Sequence, residues 1–421
     1  VSERRLTDKA KRESNNGFPP GVSLKDYALT EYIPEIEEEV RDVLANSTEF
    51  DFPINETIYE RTKIPETFKD KKEEDFWNKE EINRCINGHN GMNGKMYYWF
   101  NYCRIVSPSG KIYPEYRVAD HQWFNLLETA ENSRKYGIIC VKRRRAGFSW
   151  KEAADALHDV SFNKYYNVGM NSMSEKDSIA LFSKVKFLYD NLPPFLKATS
   201  TAHNTKSGMH FSYHDKDKMG NVITKGNQSE IIVKAPTSST FEGLMLQKWI
   251  SDESGKIKNL AQLYTYTEPC LMEETARVGV PIIFGTAGEI SKEGRDFKEM
   301  WDNSAVYNLH RFFFAGWMGV NVDKYGNDLK EQNIRWVLYE RYKKRNLDQK
   351  KITDFIQQYP LNLKEACSLS EGTGVGNIMN INKQISSLRE NPPAASRGMF
   401  KERDNGEVYW QVSALGTGIM Y

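Results

Sequence analysis

The chain has no apolar run approaching the length of a membrane-spanning helix, and no hydrophobic signal core at its N-terminus. Both absences predict a protein that neither crosses a membrane nor is secreted. Cysteine is scarce: Cys85, Cys103, Cys140, Cys270 and Cys367 are scattered and odd in number. That excludes a disulfide framework and fits a reducing cytosol. Cys85 and Cys103, with His89, match no zinc-finger spacing. Neither sign of charge is in excess, with 58 Lys and Arg against 57 Asp and Glu. A general polycation is thereby excluded, and any nucleic-acid contact must come from local basic clusters. Internal repeats and low-complexity tracts are absent as well. What remains is 421 residues, long enough for one large α/β domain with appendages or for two domains.

Residues 1–94 read as a mostly helical N-terminal region, with Ile36, Val40 and Val43 on one helical face. At Met96 the character changes. The run from Tyr97 to Val106 is aromatic and β-branched, and the Ser107-Pro-Ser-Gly110 turn after it predicts a hairpin. Beyond it, strands are predicted at 137–141, 166–170, 230–233, 248–251, 281–285 and 309–314. Helices are predicted to about Val160 and from Ser174 to Asp190, the second stopped by Pro193-Pro194. Strands alternating with helices argue an α/β fold with a mainly parallel sheet covered on both faces. The expected divisions are 1–94, a core over 95–310, a small subdomain over 311–370 and a linker over 371–421.

The chemistry concentrates in Val141-Lys-Arg-Arg-Arg-Ala-Gly-Phe-Ser-Trp-Lys151, which lies between a strand and a helix. That is the layout of a phosphate-binding loop, in which backbone N–H groups and a helix N-terminus face phosphates. Gly147 permits the tight turn and Ser149 stands where a hydroxyl reaches Mg²⁺, but Phe148 occupies the usual position of the lysine. The cation must then come from Lys142 or the arginines. Arg144 or Arg145 also suits the charge that builds up during phosphoryl transfer. Further on, a strand ends in Asp252-Glu253. There Asp252 can hold Mg²⁺ and Glu253 can polarise the attacking water. Thr286 ends another apolar strand, where it can sense a γ-phosphate, and Gln122 offers a paired donor and acceptor to an adenine edge.

In this order, Gln122, the Lys142–Ser149 loop, Asp252-Glu253 and Phe284-Gly-Thr286 resemble the ATPase half of a large terminase, the DNA-packaging motor of tailed bacteriophages. The stretches Asn171–Pro193 and Tyr359–Ala366 fit the family's habits too, so the resemblance runs from Tyr97 to Cys367. Some members carry the loop lysine at its head, as Lys142 stands here. The resemblance implies a P-loop NTPase fold of the ASCE, RecA-like type, with a lid over 311–370. It implies ATP hydrolysis coupled to translocation of double-stranded DNA into a procapsid. Glu253 and Arg144 would be catalytic, and Ser149 and Asp252 would hold Mg²⁺. Gln122, Lys142, Arg145, Ala146, Gly147, Phe148, Ser149 and Thr286 would contact ATP. The implied partners are the portal protein, the small terminase subunit and further copies of the chain in a ring, in the host cytoplasm during virus assembly.

The chain departs from the family in two places. Members often have Arg-Gly shortly before the Asp-Glu strand, where this chain has Phe241-Glu242-Gly243. An arginine acting on a neighbour's ATP must come from elsewhere, with Arg277, Arg295 and the Arg341–Arg345 cluster as candidates. Large terminases also end in a metal-dependent nuclease, whereas 370–421 offers only Glu402, Asp404 and Glu407. Packaging ATPase without DNA cleavage is therefore the expectation for the chain as given. The rival readings are a helicase-like remodelling ATPase and a nucleotide-insensitive DNA-binding assembly protein with an inactive loop.

Overall fold

The computed structural model describes residues 33–200, 205–206, 208–288, 293–347, 349–367, 396–403, 408–412 and 418–420. Helix α1 (Pro34–Asn46) buries Ile36 and Val40 on the predicted face. Helix α2 (Lys71–Asn87) starts at Asp70, whose side chain accepts from the Glu73 N–H. The aromatic run that follows is not a strand: it forms helix α3 (Gly94–Tyr102), capped by Asn93, and all of its residues are buried. A helix covered on every side tolerates Tyr, Trp and Phe wherever the neighbouring elements need volume, so packing overrides their β propensity. The expected hairpin shrinks to β1 (Ile105–Ser107) and β2 (Gly110–Ile112).

The main domain then runs α4 (Val118–Ser133), β3 (Gly137–Lys142), α5 (Phe148–Phe162), β4 (Asn167–Asn171) and α6 (Glu175–Asn191). It continues with β5 (Gly208–Lys216), β6 (Val222–Val233), β7 (Lys248–Ser251), α7 (Leu260–Thr267) and the short β8 (Met272–Glu273) and β9 (Ala276–Arg277). After these come β10 (Val280–Gly285), α8 (Gly294–Asp302), β11 (Leu309–Phe314), α9 (Lys330–Lys343), α10 (Gln349–Gln358) and α11 (Leu363–Ala366). A seven-stranded sheet has the order β11-β3-β10-β7-β4-β6-β5. All neighbours in it are parallel except the edge pair β5–β6. Sequence reasoning missed β5 and the first part of β6. Strands β3 and β10 are buried along their whole length, which is why they read as unbroken apolar runs. The topology sets the C-terminal ends of β3, β10 and β7 side by side, the edge at which open α/β sheets bind ligands.

The opposite end of the sheet is fastened by charge. Lys248, the first residue of β7, is fully buried, and its ammonium meets Glu131 at 2.5 Å and also Asp155 and Asp159. Lys95 reaches the same carboxylates at 2.6–2.8 Å. The two ammonium groups thus fill a site whose carboxylates lie close enough to hold a metal ion, and they tie α3, α4, α5 and β7 together.

Residues 51–65 run extended along this domain. Asn55 N–H donates to Asn327 Oδ1 at 2.7 Å, and Arg61 Nε to the Phe100 carbonyl at 3.0 Å. The chain divides into two compact units, residues 1–370 and 371–421. In the second unit β12 (Ser396–Glu402) lies between β13 (Val408–Val412) and β14 (Gly418–Met420), antiparallel to both. Asp404, Glu407 and the expected linker stretches at 372–376 and 391–393 lie outside the described residues. Among the described residues, no helix is long and apolar enough to cross a membrane.

Candidate active site

The loop after β3 is anchored at its head and open at its tip. Arg143 N–H donates to the Phe314 carbonyl at 3.0 Å and Arg144 N–H to the Gln358 carbonyl at 2.8 Å. From Arg145 to Ser149 the backbone N–H groups have no backbone partner among the described residues. Arg145 and Gly147 hold left-handed backbone, with φ of 58° and 80°. Left-handed residues alternating with their neighbours form a nest of N–H groups that suits an anion. Gly147 is needed for that conformation and not for space, since a Cβ there would meet nothing within 4 Å. The nest opens at the N-terminus of α5, whose dipole adds to it.

Phe148, in the usual place of the lysine, turns its side chain into the core. Its ring packs on Trp123, Phe314 and Phe284, with centroids 4.8, 5.2 and 5.9 Å away. Only its backbone N–H is left for a phosphate. Lys151, one turn on, is buried 3.9 Å above that ring and pairs with Asp120 at 2.7 Å. The cation at the mouth is therefore Lys142, whose Nζ lies 2.8 Å from Glu253 Oε1. Burial works against the Lys142 charge, but Asp252 and Glu253 outweigh it and hold the ammonium protonated above its ordinary range.

The carboxylates after β7 meet the loop. The Ser149 hydroxyl donates to Asp252 Oδ2 at 2.5 Å. A hydroxyl and a carboxylate oxygen brought together beside an anion nest are the hard-oxygen donor set that Mg²⁺ takes. Burial raises the Asp252 pKa. Glu253 is also largely withdrawn from water, yet Lys142 and Lys256 overcome that burial and hold its carboxyl down at about 2. Its backbone is left-handed (φ 50°, ψ 37°), which turns the side chain back toward the loop.

The other predicted residues are placed less uniformly. Thr286 is buried just past β10, at the strand end between Lys142 and Asp252. Ala146 is buried within the loop, whereas Arg144 and Arg145 are exposed at its tip. Gln122 is half-buried on α4, one residue before Trp123. Of the candidate trans arginines, Arg277 pairs with Glu268 at 2.9 Å and Arg341 with Glu365 at 2.5 Å, while Arg295 is exposed. Sequence reasoning missed two residues. Arg143 is buried and donates to the Met318 and Gly319 carbonyls at 2.7 and 3.0 Å, its pKa lowered to about 10 by burial and Arg117. Lys256 pairs with Glu253, and its spacing of three residues from the carboxylate was a legible signal.

The mainly parallel sheet carries the amide nest after β3 and adjacent carboxylates after β7, with β10 interposed between them, which is the strand order of an ASCE-type P-loop fold. No protein-family model matches the chain, and no curated protein matches it. Among solved structures it is similar to the large terminase ATPase domain of Thermus phage P74-26, with 16% identity and a TM-score of 0.40 over 59% of this chain and 99% of that one. It is similar to the bacteriophage HK97 large terminase, with 10% identity and a TM-score of 0.42 over 75% of this chain and 65% of that one. A third similar structure is the large terminase of a thermophilic bacteriophage in complex with ATP-gamma-S. There the identity is 16% and the TM-score 0.33, over 55% of this chain and 48% of that one.

Proposed function

We propose that the chain hydrolyses ATP and uses the energy to translocate double-stranded DNA into a viral procapsid, as the ATPase module of a large terminase. One observation carries the ATPase reading: Lys142, Ser149, Asp252 and Glu253 converge within hydrogen-bond reach around a nest of unpartnered amides. The order of Gln122, the loop, Asp252-Glu253 and Thr286 along the chain supports the packaging role.

The triphosphate occupies the nest, and Lys142 exchanges Glu253 for the β- and γ-phosphate oxygens. Glu253 then orients a water and takes its proton as the oxygen attacks the γ-phosphorus. The bond to the β–γ bridging oxygen breaks, leaving ADP and phosphate. Mg²⁺, held through Ser149 and Asp252, neutralises phosphate charge when bound. Arg144, exposed at the tip, adds positive charge as the transition state forms. Because Arg143 and Arg144 fasten the loop head to Phe314, Met318, Gly319 and Gln358, a shift of the loop on hydrolysis pulls on 311–370. That is the route to a DNA grip, in a ring of copies seated on a portal and supplied by a small terminase subunit.

A titration with a fluorescent ATP analogue, with and without Mg²⁺, tests this reading. Micromolar, Mg²⁺-assisted binding is expected; no binding in either condition would favour the nucleotide-insensitive assembly protein. In the same titration Lys142→Ala should weaken affinity by about 10- to 150-fold, the worth of a hydrogen bond to a charged group. Unchanged affinity would mean that the loop cation lies elsewhere.

A further inference from the structure

The turn segment 319–328 is tied to three parts of the molecule at once. The Gly319 carbonyl accepts from Arg143 Nη2 at 3.0 Å, at the head of the amide nest. The Gly319 N–H donates to Asp328 Oδ1 at 2.6 Å, which closes the segment on itself. At its far end the Gly326 carbonyl accepts from the Val118 N–H at 2.9 Å. Val118 opens α4, so this bond satisfies one of the amide donors that a helix N-terminus leaves unpaired, and Gln122 stands on the next turn of that helix. A Cβ at Gly326 would lie 2.5 Å from the Tyr116 ring, so the segment is pressed against the entrance to α4. The third tie is to the extended strap. The Asn55 N–H donates to Asn327 Oδ1 at 2.7 Å, and Asn327 Nδ2 donates to the Asn55 carbonyl at 2.8 Å. Asn55 Nδ2 adds a bond to the Tyr325 carbonyl at 2.6 Å. Further along, Arg61 and Thr62 fix the strap to the buried helix α3, at the Phe100 carbonyl (3.0 Å) and Asn101 Oδ1 (2.7 Å). Asp323 Oδ1 shapes the turn from within by accepting from the Tyr325 and Asn327 N–H groups at 2.8 and 2.9 Å. The turn thus makes its own shape, and the strap sets where it stands.

We propose that Asn327 is a positioning residue for nucleotide binding. Clasped by the strap, it holds the 319–328 segment where α4 and the amide nest stand at the separation that one ATP spans. This rests on the reading of Gln122 as the contact to the base and of the nest as the phosphate site. A ligand that reaches two sites at once binds well only when their spacing is already set to its length. With the clasp broken, the entrance to α4 and the Arg143 end of the segment shift independently, and a ligand that must touch both loses affinity. A ligand with phosphates and no base touches the nest alone and is indifferent to that spacing. The strap thereby gives the N-terminal region a part in nucleotide affinity.

The test is calorimetric titration of the full chain with ATP and, separately, with inorganic tripolyphosphate, both in the presence of Mg²⁺. Asn327→Ala should raise Kd for ATP by about 3- to 10-fold, the range of a net hydrogen bond, and leave Kd for tripolyphosphate within about 2-fold. Asn55→Ala removes the bond to the Tyr325 carbonyl and leaves the Asp323 bonds of the turn in place. It should act in the same direction by a smaller factor. Added to Gln122→Ala, Asn327→Ala should cost less than it does alone, because the contact it positions is already gone. Equal weakening for both ligands overturns the proposal, since damage to the fold acts on both, and so does an ATP affinity unchanged in Asn327→Ala. Gln122→Ala separates the two levels. If it weakens ATP no more than tripolyphosphate, the base reading fails and the positioning role falls with it. If it weakens ATP selectively and Asn327→Ala does not, only the positioning role fails.

Discussion

Glu253→Gln is expected to lower ATP turnover by about 10²- to 10⁴-fold, the contribution of a positioned general base. Nucleotide binding should persist in this variant. Glutamine keeps the size of the side chain and leaves the left-handed turn at position 253 in place, but it cannot take a proton from water. It also no longer holds Lys142 by charge, so the ammonium is released to the phosphates and affinity should stay level or tighten. Phosphate release measured beside the nucleotide titration separates these effects. Undiminished turnover would show that water is activated by another group, and the site as assembled from Lys142, Ser149, Asp252 and Glu253 would lose its mechanism.

The second large effect concerns stability. Lys248→Met should cost about 3–5 kcal/mol, because it removes one of two ammonium groups from a fully buried set of carboxylates. Lys95 alone would then face Glu131, Asp155 and Asp159. Folded domains are stable by only about 5–15 kcal/mol, so much of the margin would go. Urea unfolding should show a lower midpoint, and Lys248→Met with Asp159→Asn should recover part of the loss, since the added change removes one stranded charge. A midpoint unchanged in the single variant would mean that water, not Lys248, solvates the cluster. The prediction bears on function as well, because Lys248 opens the strand that ends next to Asp252 and Glu253.

The two effects lie at opposite ends of β7, and they differ in how legible they were. Asp252-Glu253 announced themselves as adjacent carboxylates after an apolar strand, and the loop at 142–149 as a basic, glycine-containing turn between strand and helix. Those signals are local, and the structure places them together. The partners of Lys248 were not legible. Glu131, Asp155 and Asp159 come from two helices far along the chain, and a lysine inside an apolar strand gives no sign of which acids will meet it. The aromatic run at 97–102 misled for a related reason: its residue types favour a strand, but a fully enclosed site between α2, α4 and α5 makes it a helix.

By itself, then, the sequence determined the α/β alternation, the position of the glycine-containing basic loop and the carboxylate pair, and the order of motifs along the chain. Each depends on residues a few positions apart, where turn chemistry and apolar periodicity act. Only the tertiary structure decided that β10 lies between β3 and β7, and that Phe148 belongs to the core. It alone showed Lys142 as the cation facing Glu253, with Lys256 closing the other side. Those facts are set by which strands pair and which side chains share a volume, and both are settled by packing between elements distant in the chain.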